Sequence, residues 1–335
     1  MNYLFIILIF YNILFLFFLN KNKILFPLDY PSLGRKKHKK PTPKIGNFLF
    51  FSNILIIIGY FYFQEDTQNL INLMIFESKQ TFLIFFYLLS LSFFGFLEDK
   101  SNYKPGTKTT ILLVLISALL YFNTHYQIKF LLFNDVQIFL NNSTLLISTI
   151  ILFSLKNIFN LLDGINGLVA SYFLGLSLVL IFKNFYFIIY ILPSLVFFLF
   201  INLKNKAFMG DGGIFILTSF FYICFVVNYN NKLINIPEIL ILLIIPMIDT
   251  ARLFLKRLLK GKSPFVGDRN HLHHILLNKF GINLTLIIII SVSFLPYVAY
   301  HTLEVNLWIP ITFQFLIYLF IIYNRKIKFF LKKVV

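Results

Sequence analysis

Apolar runs long enough to cross a hydrocarbon core recur from one end of the chain to the other. A core of that kind takes about 20 residues of helix. The runs fall near 3–19, 46–63, 81–97, 109–123, 144–162, 168–183, 185–202, 213–229, 238–256, 283–302 and 307–324. Only helices and closed barrels satisfy their own backbone groups in lipid. The expectation is therefore an all-α polytopic integral membrane protein with eleven spans. It is read as a single membrane-embedded domain over 1–335 that ends in a basic tail at 325–335. Composition agrees, with 59% of 335 residues hydrophobic and 13% charged. The first run lacks a basic n-region and a small-residue cleavage site, so it reads as a retained helix and not a signal peptide. The lone Cys224 lies in an apolar run, which excludes a disulfide framework.

A net charge of +17 would suit a nucleic-acid protein, but its placement argues otherwise. Of the 30 Lys and Arg, 26 fall in alternating segments around 20–44, 98–108, 156, 203–212, 252–282 and 325–335. The opposite loops hold only Lys79, Lys129, Lys183 and Lys232. This is the positive-inside asymmetry, and it predicts an outer N-terminus and a cytoplasmic C-terminus. Some of the excess suits anionic lipid headgroups.

The polar residues that interrupt the pattern gather on the predicted cytoplasmic side. Glu98 and Asp99 close the third run in GFLEDK, with Lys104 and Lys108 soon after. Acids at a helix end are often merely solvated; an adjacent pair opposite basic loops also suits metal or proton work. Asn157, Asn160 and Asp163 follow at intervals of three in KNIFNLLDGINGL, so they share one side of a helix end. Helix capping is the plain alternative for Asn160 and Asp163. In AFMGDGG, Asp211 is flanked by Gly210, Gly212 and Gly213. Such glycines permit close approach of a ligand, and Mg²⁺ is commonly held by one or two carboxylates plus substrate phosphates. An ordinary Gly-Asp turn is the alternative, and the Lys-Ser/Thr pair of a Walker A loop is missing. The stretch from Asp249 to Leu277 then brings Arg252, Lys256, Arg257, Lys260, Lys262 and Arg269 ahead of His271, His273 and His274. A zinc site there is disfavoured, because adjacent helical histidines diverge and no HExxH pattern exists. A transporter would place its ionisable groups near the midplane. Groups gathered at the interface instead suit an enzyme that joins a water-soluble phosphate compound to a lipid one.

The motifs GFLEDK, NIFNLLDGINGL, AFMGDGG, PMIDTARLFLKRLLKGKSPF and DRNHLHH, in that order, resemble the polyprenyl-phosphate N-acetylhexosamine-1-phosphate transferases. These include bacterial undecaprenyl-phosphate GlcNAc-1-phosphate transferases and the phospho-N-acetylmuramoyl-pentapeptide transferase. The likeness runs from Asp29 to Leu277. It implies transfer of a sugar-1-phosphate, GlcNAc-1-phosphate foremost, from a UDP-N-acetylhexosamine to undecaprenyl phosphate, with release of UMP, as a first membrane step of envelope polysaccharide synthesis. It implies a bacterial inner-membrane location with a cytoplasmic site. Magnesium is the implied ion, with manganese as the alternative, and a homodimer is left open. On this chain Asp211 matches the magnesium-binding Asp, supported by Asp163 and Asn160, and Phe208 the aromatic that stacks on uracil. Glu98 and Asp99 match the acidic pair that activates the lipid phosphate or positions metal. Arg269, His271, His273 and His274 match the nucleotide-sugar loop, and Lys40 and Lys108 are candidate phosphate-binding cations.

The chain departs from the family pattern in places. Glu98 stands where Asp is usual, Asn166 replaces the later Asp of Asp-Gly-x-Asp-Gly, and Gly46-Asn47 replaces Gly-Gly. The HLHH form is closer to the GlcNAc-type enzymes than to the peptidoglycan one. Rival expectations are the same chemistry on a 6-deoxy-N-acetylhexosamine or on UDP-MurNAc-pentapeptide, and, in another class, a lipid-linked sugar transporter or a silent relative.

Overall fold

The computed structural model describes residues 2–31, 40–63, 78–101, 103–133, 136–261 and 269–323. Several sequence features lie outside these residues: the outer-loop acids Glu65, Asp66 and Glu77, the run Arg35 to Lys39, Lys262 with the SPF segment, Asp268, and the basic tail.

Among the described residues stand eleven α-helices: α1 (Asn2–Lys21), α2 (Gly46–Phe63), α3 (Ser78–Ser101), α4 (Pro105–Phe122), α5 (Thr144–Leu162), α6 (Leu168–Phe182), α7 (Leu192–Leu203), α8 (Gly210–Asn230), α9 (Ile236–Leu258), α10 (Leu272–Thr302) and α11 (Trp308–Tyr323). Most are apolar all round, the pattern of a helix with lipid or protein on every side. By length and composition, five stretches are fit to cross a membrane: Tyr3–Lys21, Asn141–Leu162, Tyr186–Leu203, Gly210–Asn230 and Leu272–Thr302. Four shorter helices are also apolar.

Helix α8 is the axis of the bundle. Nearly every side chain from Gly212 to Tyr229 is buried, and α2, α3 and α5 pack around it. The outer helices behave oppositely. Tyr3, Phe10 and Phe17 of α1 and Trp308, Leu316 and Phe320 of α11 are exposed, an apolar belt that a water-soluble protein does not carry on this scale. Helices α9, α10 and α11 pack on one another as a second group.

Two small antiparallel sheets amend the all-α expectation. Strand β1 (Leu28–Asp29) pairs with β2 (Thr42–Pro43). Strands β3 (Phe130–Phe133) and β4 (Val136–Phe139) form a hairpin between the apolar runs 109–123 and 144–162. Phe130 and Leu132 are buried there, whereas Val136, Ile138 and Phe139 are exposed, so one side of the hairpin caps the bundle. A third difference is at α10. The expected span 283–302 is joined to the His segment in one element, broken by Gly281 at φ 74°. The turn thus falls at the glycine, the residue for which that conformation is unstrained.

Candidate active site

Helix α8 begins at Gly210, so Asp211 lies in a first helical turn and not in a loop. Free backbone amides and the positive end of the helix dipole favour an anion there. Asp99 supplies one from the neighbouring helix. Its Oδ1 accepts from the Asp211 amide at 3.0 Å and its Oδ2 from the Gly212 amide at 3.2 Å. Gly210 has φ 71°, and a Cβ there would lie 2.6 Å from Asp99 Oδ2. Glycine is thus required twice over, by conformation and by the carboxylate that crowds it.

Two lysines complete the cluster. Lys44 Nζ lies 3.2 Å from Asp99 Oδ1 and donates to the Asp99 carbonyl. Lys108 Nζ pairs with both Asp211 Oδ2 and Glu98 Oε1, the latter at 3.2 Å. Glu98 Oε2 accepts from the Tyr103 amide at 3.1 Å. Glu98 and Asp99 are buried, and Asp211 stays partly open. The arrangement alternates charge, with acids from α3 and α8 separated by Lys44 and Lys108.

Lys44, not Lys40, is the basic residue of the proline segment that reaches the cluster. Lys40 is exposed. The Phe208 amide donates to Pro43 O at 2.9 Å, and the Ile45 amide donates to Phe208 O at 3.0 Å. That pairing lays the segment beside the start of α8 and aims Lys44 at Asp99. The sequence signal was only a lysine two residues before Gly46, and its bridge partner Phe208 is over 160 positions away.

Asp163 caps the C-terminal end of α5 and is open to solvent. Desolvation by the surrounding protein, then the like charges of Asp211 and Asp99, raise its carboxyl to about 7, and Lys44 opposes them. For a side chain that water reaches, the like charges are the contribution that persists. Asp163, Asp211 and Asp99 are thus close enough to sense one another. Asn160 lies on the same side of α5, partly buried.

The histidines join from the other group of helices. His271 precedes α10, and its ring stacks on His273 at 5.4 Å between centroids and 5° between planes. His273 and His274 rings meet at 4.3 Å. A Cβ on Gly164 would fall 2.0 Å from His273 Nε2, so the imidazole lies directly on the backbone beside Asp163. Asp249 holds this end in place. It accepts from the Leu272 amide at 3.2 Å, from Arg252 at 2.8 Å and from Tyr318 at 3.0 Å, and it contacts His271 Nδ1 at 2.8 Å. Arg252 also donates to Asn270 O at 2.7 Å. Asp249 is therefore an orienting residue, its oxygens occupied by these donors. Arg269 is exposed just before the histidines.

The site thus unites Glu98, Asp99, Lys108, Asp163, Asp211 and His273, which span most of the sequence. Residues 81–232 match the family model described as glycosyl transferase family 4. The chain is similar to that family over this segment. It is 28% identical over 269 residues to the undecaprenyl-phosphate alpha-N-acetylglucosaminyl 1-phosphate transferase of Thermotoga maritima, covering 79% of this chain and 78% of that protein. The protein of the same name from Escherichia coli strain K12 is 25% identical over 287 residues, 80% of this chain and 74% of its own length. A shorter match, 31% over 140 residues, joins 36% of this chain to 37% of the Yersinia pestis protein of that name. The resemblance read from the motifs is borne out by these relatives. The matched family segment holds Glu98, Asp99, Lys108, Asp163 and Asp211, while Lys44 and the histidines fall outside it.

Proposed function

We propose that the chain is a glycosyl-1-phosphate transferase that moves N-acetylhexosamine-1-phosphate, GlcNAc-1-phosphate first among candidates, from a UDP-sugar to undecaprenyl phosphate with release of UMP. The observation that carries this is the convergence of Asp211, Asp99 and Asp163 with Lys44 and Lys108 at one end of an apolar bundle. The names of the relatives support the lipid and the sugar.

Phosphoryl transfer depends chiefly on positioning and on offsetting charge. Lys44 and Lys108 can each leave a carboxylate for a phosphate oxygen, since both ammonium groups stay partly open. Asp99, fixed by two helix amides, keeps the start of α8 in register. His273, against Gly164, and exposed Arg269 are placed to meet the nucleotide side of the donor. Phe208, partly buried beside the same segment, offers a ring for the base.

A divalent cation fits this donor set. Asp211 is partly open and already holds a cation, the Lys108 ammonium. Asp163 adds a second open carboxylate whose proton affinity is raised by its like-charged neighbours. Mg²⁺ is commonly held by one or two carboxylates plus substrate phosphates. Asp211 and Asp163 would hold it, and when bound it would polarise the diphosphate and ease departure of UMP. The site is read as cytoplasmic, in a bacterial inner membrane.

The test is UMP release by purified protein in detergent with undecaprenyl phosphate, Mg²⁺ and a panel of UDP-sugars. Release with UDP-GlcNAc, reduced at least about a hundredfold in Asp211→Asn, is expected. Release with another donor alone would change the sugar. No lipid-dependent release from folded protein would overturn the enzyme reading.

A further inference from the structure

Lys156 was counted from the sequence among the cytoplasmic charges, yet it lies inside α5 and is 1% exposed. Among the described residues its Nζ has no hydrogen-bond partner. Its Nζ lies over the Phe215 ring, 5.0 Å from the centroid. Lys108 lies against the same ring at 5.4 Å. One aromatic ring thus links the lysine of the acid cluster to a deeper one.

The placement follows from helical spacing. Lys156, Asn160 and Asp163 stand at i, i+4 and i+7 and share a stripe of α5. Asp211, Phe215 and Thr218 repeat that spacing on α8, which packs against α5. Both stripes descend from the open carboxylates into the bundle. Thr218 Oγ1 is also buried without a hydrogen-bond partner among the described residues. Thr218 lines an apolar cavity of about 390 Å³ with Ser154, Ile158, Phe221, Leu243 and Met247. Ile150, also on its wall, is exposed on the flank of the bundle.

An unpaired ammonium buried in an apolar bundle is costly, and a cation–π contact offsets only part of that cost. Fully buried structural lysines are almost always paired with a carboxylate. A residue reserved for an incoming anion would have none until that anion arrives. The geometry points to Lys156 as a binding residue for the phosphate of the membrane-borne acceptor, which reaches the acid cluster from the lipid side. The donor diphosphate enters from the water side, past Arg269 and His273, and has no need of so deep a cation. The four-carbon stem of lysine allows the ammonium to leave Phe215 and rise toward Asn160. The inference rests on the acceptor named under the proposed function.

The experiment measures binding of undecaprenyl phosphate, of the uncharged alcohol undecaprenol and of UDP-GlcNAc to the full chain in detergent. Wild type is compared with Lys156→Met and Lys156→Arg. Lys156→Met is expected to weaken undecaprenyl phosphate about tenfold or more, the scale of one charge-assisted hydrogen bond. Undecaprenol and UDP-GlcNAc should bind unchanged, and Lys156→Arg should recover most of the loss. In turnover the acceptor KM should rise while the donor KM stays. Wild-type binding of the lipid phosphate by Lys156→Met overturns the inference, as does an equal loss of UDP-GlcNAc. Should Lys156→Met not fold, Lys156→Gln gives the same comparison with a neutral polar head. If wild type binds the lipid phosphate through Lys156 but releases no UMP, the proposed reaction fails and Lys156 stands. If turnover is intact and Lys156→Met binds as wild type, the reverse holds.

Discussion

At the residue scale the site is governed by like charges held close together. Asp163 illustrates the consequence. Its carboxyl is raised above the usual carboxylate range, by desolvation and by the like charges of Asp211 and Asp99, so it holds its proton to a higher pH than a free carboxylate does. A divalent cation binds only the ionised form and must displace the proton. Cation affinity should therefore fall as pH drops through the raised value, and at a higher pH than an unperturbed carboxylate would give. Titration calorimetry of Mg²⁺ at pH 6 and pH 8 reads this directly, with a proton released on binding. Asp163→Asn should bind more weakly and without the pH dependence, and an unchanged pH slope in that variant would remove Asp163 from the ion's surroundings. The residues of this cluster were partly legible in the sequence. Asp99, Asp163 and Asp211 stood out because each interrupts an apolar run beside a turn. Lys44 did not, because its position depends on strand-like pairing with Phe208. Lys156 was misplaced because one charge near a helix end looks the same whether it points to water or inward.

At the scale of elements, the bundle has two groups of helices, and Asp249 couples them. It lies on α9, accepts from the first amide of α10, and bonds Tyr318 of α11 and Arg252 of its own helix. One buried carboxylate thus fixes the start of the helix that carries His273. Asp249→Ala should leave the Leu272 amide without an acceptor and Arg252 without its carboxylate, though Arg252 keeps Asn270 O and the Tyr318 hydroxyl, a loss toward the lower end of the about 3–5 kcal/mol of a broken buried pair. Tyr318→Phe removes the two hydrogen bonds of one hydroxyl, which donates to Asp249 and accepts from Arg252 Nε, roughly 2 kcal/mol in all. Thermal denaturation in detergent should therefore rank wild type above Tyr318→Phe and both above Asp249→Ala. Equal effects would mean that Asp249 does not organise the junction. Helix positions themselves were legible, since eleven apolar runs became eleven helices among the described residues. Hydropathy identifies a run but not its final turns, so α3 reaches Ser101 and carries Glu98 and Asp99 within the helix. The β3–β4 hairpin was missed as a strand pair, because its alternation of buried and exposed side chains depends on the bundle end it covers.

At the scale of the molecule, one end holds the acids, lysines and histidines, and the other holds a different polar group. There Glu238 of α9 lies 2.5 Å from Lys183 and 2.7 Å from His301, beside Lys232 in a recess. The charge asymmetry read from the sequence predicts that the acid cluster faces the cytoplasm and this second end the outside, because cationic loops are retained on the cytoplasmic side. The native Cys224 is buried, so the chain supplies little thiol background of its own. Single cysteines introduced at Lys232 and Lys260, both exposed, should then separate the two faces in intact cells treated with a membrane-impermeant maleimide. Lys232→Cys should label before lysis and Lys260→Cys only after it. The opposite pattern would invert the molecule and put the acid cluster on the side from which a cytoplasmic nucleotide-sugar is excluded. The orientation and the donor proposal therefore stand or fall on the same labelling result, whereas the alternating ion pairs at Asp99 and Asp211 persist in either case.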